Sequence, residues 1–94
     1  MSGERLLLVD DEENLRTMLA AALAHSGFDV ATAENGRDAL SRTKEIGPDL
    51  ILLDVMMPDL DGFEVCRRLR AEYVKTPIIF LPARDEPSDK VRGL

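Results

Sequence analysis

Asp49-Leu50-Ile51-Leu52-Leu53-Asp54-Val55-Met56-Met57-Pro58-Asp59-Leu60-Asp61-Gly62 is the stretch on which the reading of this chain turns. Leu50–Leu53 is an unbroken aliphatic run, the pattern of a short strand covered on both faces. Asp54 ends it abruptly. The next residues hold Pro58 and two further aspartates ahead of Gly62, which is the composition of a loop. Asp61, with Glu64 three residues on, reads as a capping pair for a helix. The apolar residues Phe63, Cys66, Leu69 and Tyr73 are expected on that helix's inner face. The unit is strand, loop, helix, with a carboxylate at the carboxyl end of the strand.

The same unit recurs on either side. Leu6-Leu7-Leu8-Val9 is another continuous apolar run, followed by Leu15, Met18, Leu19, Ala22 and Leu23 at helical spacing, with Gly27 as the stop. Phe28–Thr32 reads as a second strand, and Asn35-Gly36 as the turn that leaves it. Ala39, Leu40 and Thr43 predict a second helix, ended by Gly47-Pro48. Pro77 introduces Ile78-Ile79-Phe80-Leu81, expected to be a fourth buried strand, and Asp85–Asp89 looks like the approach to a further helix. Strands alternating with helices imply an α/β fold with a doubly wound parallel sheet and right-handed crossovers. In such sheets function collects at the carboxyl ends of the strands.

Composition narrows the class. Ninety-four residues suffice for one small domain, and 45% hydrophobic with 32% charged residues describes a globular chain. Twelve basic against 18 acidic residues leave a formal charge of −6, which argues against a nucleic-acid-binding face in this segment. Such a charge suits a cation or a basic partner. Cys66 is the single cysteine, so neither an internal disulfide nor a cysteine metal cluster is available. The longest apolar runs are far too short to span a membrane, and the amino terminus carries no apolar signal segment, so the cytoplasm is the expected compartment.

Asp10-Asp11 directly follow the first strand and Asp54 directly follows the third. If those strands are neighbours, three carboxylates meet at one edge of the sheet, where either a proton or a cation must relieve their repulsion. A hard divalent ion with oxygen ligands, Mg²⁺ above all, fits, because it leaves room for phosphate oxygens. One carboxylate could then attack phosphorus while the metal neutralises the phosphoryl oxygens. The plainer reading of Asp10-Asp11-Glu12-Glu13 is helix-start chemistry, since acids favour a helix N-terminus. Asp54 weighs against that reading for the group, because an aspartate ending an aliphatic strand has no capping duty there.

Leu7-Leu8-Val9-Asp10-Asp11-Glu12 and Asp49–Gly62 together resemble the two most recognisable stretches of the receiver domains of two-component response regulators. The resemblance covers essentially the whole chain, 1–94. The tail Ala83-Arg84-Asp85-Glu86-Pro87-Ser88-Asp89-Lys90 is similar to the winged-helix transcription-factor subgroup. What the resemblance implies is a phosphorelay module whose Asp54 accepts a phosphoryl group from a sensor histidine kinase. It further implies Mg²⁺ bound by Asp11 and Asp54 with the backbone carbonyl of Met56, and by Asp10 through water. The family's flavodoxin-like sheet has the strand order 2-1-3-4-5, which sets the first and third strands side by side.

The sequence departs from the family in two places. The family carries threonine or serine at the end of the fourth strand, where the hydroxyl contacts the phosphoryl group. Pro82 stands here, with no hydroxyl, no N–H and a fixed φ, although a proline also simply ends a strand. The family also continues into a fifth strand, followed by a lysine that pairs with the acceptor, and nothing in Lys90–Leu94 matches it. The expected sheet is therefore 2-1-3-4 in a C-terminally incomplete receiver, with Ile78–Leu81 as an exposed edge that favours self-association or a homodimer. Two other functions compete. A degenerate receiver would act as a phosphorylation-independent interaction module. A hydrolase of the haloacid dehalogenase kind would use Asp54 transiently, but it wants an aspartate two residues later, where Met56 stands. His25 suits the last turn of a helix, and Cys66 suits packing as a small hydrophobe.

Overall fold

The computed structural model describes residues 3–82. Its elements follow the alternation in the sequence: β1 (Arg5–Val9), α1 (Glu13–His25), β2 (Asp29–Ala33), α2 (Gly36–Ile46), β3 (Leu50–Asp54), α3 (Gly62–Ala71) and β4 (Ile78–Leu81). The strands form one parallel sheet in the order β2-β1-β3-β4. This is the doubly wound arrangement expected from the sequence. Residues 83–94, with the expected fourth helix and the tail resembling the winged-helix subgroup, lie outside the described residues.

Alternation along the strands divides the core in two. Leu7, Val9, Ile51 and Leu53 share a cluster with Ala33, Ala39, Met57, Val65 and Leu69, so α2 and α3 cover that face. Each fully buried aliphatic side chain there contributes about 1.5–3 kcal/mol. Leu6 and Leu8 are equally buried but belong to the opposite face. There α1 packs against β1 and β2 with Leu15, Leu19 and Leu23 only half-buried, and none of its residues is fully enclosed.

Local chemistry explains the element ends. The Asp61 side chain accepts from the Glu64 N–H at 2.8 Å, giving the expected cap on α3. Glu64 does not reach back to complete a reciprocal box; it pairs with Arg67 and Arg68 instead. Gly47 closes α2 at φ 58°, the left-handed conformation that glycine adopts without cost. Asn35-Gly36 is the start of α2 and not a turn between elements, with Asn35 Oδ1 accepting from the Asp38 N–H at 2.8 Å.

The inner face of α3 differs from the expectation. Val65 and Leu69 are the buried pair, Cys66 is half-buried, and Phe63 and Tyr73 are 60% and 86% exposed. Phe63 stands in the first turn, off the stripe formed by Val65 and Leu69, and its ring lies 4.9 Å from that of Phe80. Tyr73 falls beyond the last helical turn altogether. β4 is also less enclosed than a central strand, since Ile79 is 52% exposed.

Candidate functional site

Register assembles the site. β1 and β3 are hydrogen-bonded neighbours with Val9 opposite Leu53, so the next residues, Asp10 and Asp54, emerge side by side. Asp11 follows at the same edge, and one carboxylate oxygen from each of the three lies within 4.8 Å of the others. Asp10 and Asp54 are each 1% exposed while Asp11 faces solvent. Burying carboxylates is unfavourable unless hydrogen bonds or a cation compensate. Asp10 Oδ1 accepts from the Glu12 N–H at 2.9 Å, and Asp54 Oδ1 from the Met56 N–H at 3.1 Å. Asp54 therefore does carry a backbone duty: it closes a short turn into its own loop.

The acidic run at 10–13 divides between the two readings offered by the sequence. Glu12 is the N-cap of α1, accepting from the Leu15 N–H at 2.6 Å, and Glu13 occupies the first turn. Asp10 and Asp11 belong to the cluster. Arg16 ties the two parts together, its Nη1 donating to the Asp10 carbonyl at 2.8 Å. An arginine one turn into a helix gave no signal of that contact in the sequence.

The loop after β3 forms the other wall, where Asp11, Met56, Met57, Pro58 and Asp61 line an open groove beside the cluster. Gly62 lets the loop close tightly. Its N–H donates to the Val55 carbonyl at 2.9 Å, and a Cβ there would sit 2.6 Å from the Asp54 carbonyl oxygen. Pro82 directly follows Leu81, which lies opposite Asp54 in the β3–β4 register, so it stands at the same edge of the sheet. His25 lies exposed in the last turn of α1, away from this edge.

Residues 6–94 match the response regulator receiver domain family. The chain belongs to the response regulator receiver family. Among curated relatives, the alkaline phosphatase synthesis transcriptional regulatory protein PhoP of Bacillus subtilis is 50% identical over 92 residues, 98% of this chain and 38% of its own length. TrcR of Mycobacterium tuberculosis is 47% identical over 90 residues, 96% of this chain and 35% of its own. This receiver chain thus spans little more than a third of those transcriptional regulators. The transcription-factor subgroup named from the sequence agrees with these relatives, which are transcriptional regulatory proteins. Among solved structures, the receiver domain of the Francisella response regulator 1452 superposes with a TM-score of 0.83 at 31% identity, covering 97% of this chain and 75% of that one. TrrA of Thermotoga maritima, solved in complex with Mg²⁺ and BeF, has a TM-score of 0.78 at 29% identity, with 96% and 94% of the two chains covered. Among the described residues, no helix of the receiver is long and apolar enough to cross a membrane.

Proposed function

We propose that this receiver accepts a phosphoryl group on Asp54 from a sensor histidine kinase and, in the whole regulator, passes that signal to transcription. The observation that carries the reading is the cluster of three aspartates at the carboxyl ends of adjacent strands. Transfer forms a bond from an Asp54 carboxylate oxygen to phosphorus as the phosphorus–nitrogen bond of the kinase phosphohistidine breaks. The electron pair stays on the imidazole, which takes up a proton. The receiver is a regulatory acceptor that catalyses its own loading and not a turnover enzyme.

The donor set fits Mg²⁺, being all hard oxygen with one exposed and two buried carboxylates. Asp10, Asp11, Asp54 and the Met56 backbone carbonyl would hold the ion, which when bound neutralises phosphoryl oxygens. The Mg²⁺ and BeF complex of TrrA supports this assignment. A second copy of the chain is the proposed partner at the outer edge of β4, and no nucleic-acid contact is assigned to this acidic segment.

Pro82 favours a second reading, a phosphorylation-independent interaction module, because it lacks the hydroxyl that would sense the phosphoryl group. Incubation with acetyl phosphate and Mg²⁺ followed by intact mass measurement separates the two. The first reading expects one lasting phosphoryl addition that Asp54→Asn abolishes. An unchanged mass supports the second, and sustained phosphate release would mean a hydrolase.

A further inference from the structure

Asp59 lies in the loop between β3 and α3, yet both its carboxylate oxygens are committed to another element. Oδ1 accepts from the Gly36 N–H at 2.9 Å and Oδ2 from the Arg37 N–H at 2.9 Å. These are the first two amides of α2, which otherwise lack helical partners. The helix already has its own local cap, since Asn35 holds the Asp38 N–H and Asp38 Oδ2 accepts from the Glu34 N–H at 3.2 Å. Asp59 therefore adds a bridge across 22–23 residues of sequence to a helix start that is capped without it.

The bridge clamps two surfaces that already touch. A Cβ on Gly36 would meet Leu60 Cβ at 2.7 Å and the Leu60 carbonyl oxygen at 2.9 Å, so the loop lies directly on the start of α2. Between this clamp and Asp54 lie only Val55, Met56, Met57 and Pro58. The near end of that span is held by the Asp54 carboxylate on the Met56 N–H and by the Val55 carbonyl on the Gly62 N–H. Its far end is held by Asp59.

The geometry points to Asp59 as a positioning residue for the acidic site: its two bonds to α2 fix the segment that carries Met56 beside Asp54 and Asp11. The assignment rests on the function proposed above for that site. Asp59 touches neither metal nor phosphoryl group; it sets where the Met56 backbone stands when they arrive. Supporting groups outside a metal's ligand set commonly change affinity by about tenfold or more.

The test compares the full chain with Asp59→Ala, Asp59→Asn, Asn35→Ala and Asp11→Ala. Mg²⁺ titration and backbone amide spectra of the metal-free protein are the readouts. Asn35→Ala removes the local cap of the same helix and leaves the bridge, so it controls for lost helix stability. We expect Asp59→Ala to weaken Mg²⁺ binding by about tenfold and to shift the amides of Met56 and Met57. Asp59→Asn keeps one acceptor and should fall between it and the wild type, while Asn35→Ala should match the wild type in affinity. If the Asp59→Ala shifts stay within 34–38 and its affinity is unchanged, Asp59 is a helix cap and nothing more. Equal losses in Asp59→Ala and Asn35→Ala would also overturn the assignment, by tracing the effect to α2 stability. Should Asp11→Ala bind Mg²⁺ as well as the wild type, the site reading itself fails and the assignment with it.

Discussion

Tyr73 shows how much a single position can hold in reserve. Its φ of 64° places it in the left-handed region just past α3, where the Tyr73 N–H reaches the Arg70 carbonyl and the Val74 N–H the Leu69 carbonyl, each at 3.0 Å. Glycine is the usual occupant of such a helix end, and a side chain with Cβ costs about 1–2 kcal/mol there. At 86% exposure the ring returns little by packing. Tyr73→Gly should stabilise the protein by about 1 kcal/mol, read as a higher urea midpoint with an unchanged slope. A lower midpoint would reveal a contact for the ring that outweighs the strain. Pro82 poses the opposite question, since it has no hydroxyl to offer the phosphoryl group proposed for Asp54. A switch needs an element whose two arrangements interact differently with the bound group. Pro82→Thr should therefore enlarge the amide shifts that beryllofluoride induces along Ile78–Leu81, and equal shifts in both proteins would make the hydroxyl dispensable.

At the scale of elements, the loop joining β3 to α3 is held by charge as well as by fit. Slight burial of Asp59 works to raise its pKa, but the N–H groups of Arg37 and Gly36 outweigh it and keep the carboxyl below its ordinary 3.8. A depressed folded pKa means that Asp59's contribution is complete above the unfolded value and disappears as pH falls through the folded one. Denaturant midpoints should therefore drop more steeply below pH 3.8 in the wild type than in Asp59→Asn. Parallel acid profiles would show that the bridge carries no charge-dependent stability. Sequence periodicity made the seven elements legible, and strand-terminal position made Asp10, Asp11 and Asp54 legible. Hydropathy alone put Phe63 and Tyr73 on the inner face of α3, because it passed over Val65, which with Leu69 one turn on forms the stripe that is buried. Asp59 and Arg16 were invisible for a related reason. Their partners are backbone amides and a carbonyl, which carry no mark in a sequence of side chains.

At the scale of the whole molecule, the two faces of the sheet are unequally covered among the described residues. α2 and α3 seal the face of Leu7, Val9, Ile51 and Leu53, whereas α1 lies over β1 and β2 and leaves Ile79 of β4 half-exposed. Within the same residues β4 pairs only with β3, and an apolar strand edge is a template for another chain. Sedimentation at micromolar concentration should show reversible self-association, accompanied by slower hydrogen exchange along Ile78–Leu81 as concentration rises. A monomer with concentration-independent exchange would rule out pairing at that edge. The strand order has one more consequence, for the time before the molecule is whole. β1 and β3 are neighbours in space with a helix, a strand and another helix between them in the chain. No local segment, however well formed, holds more than part of the acidic cluster, so the function proposed for it arrives only with the long-range pairing of those two strands. A nascent or half-unfolded chain has the same three aspartates and none of their joint chemistry, which makes the site its own test that folding is finished.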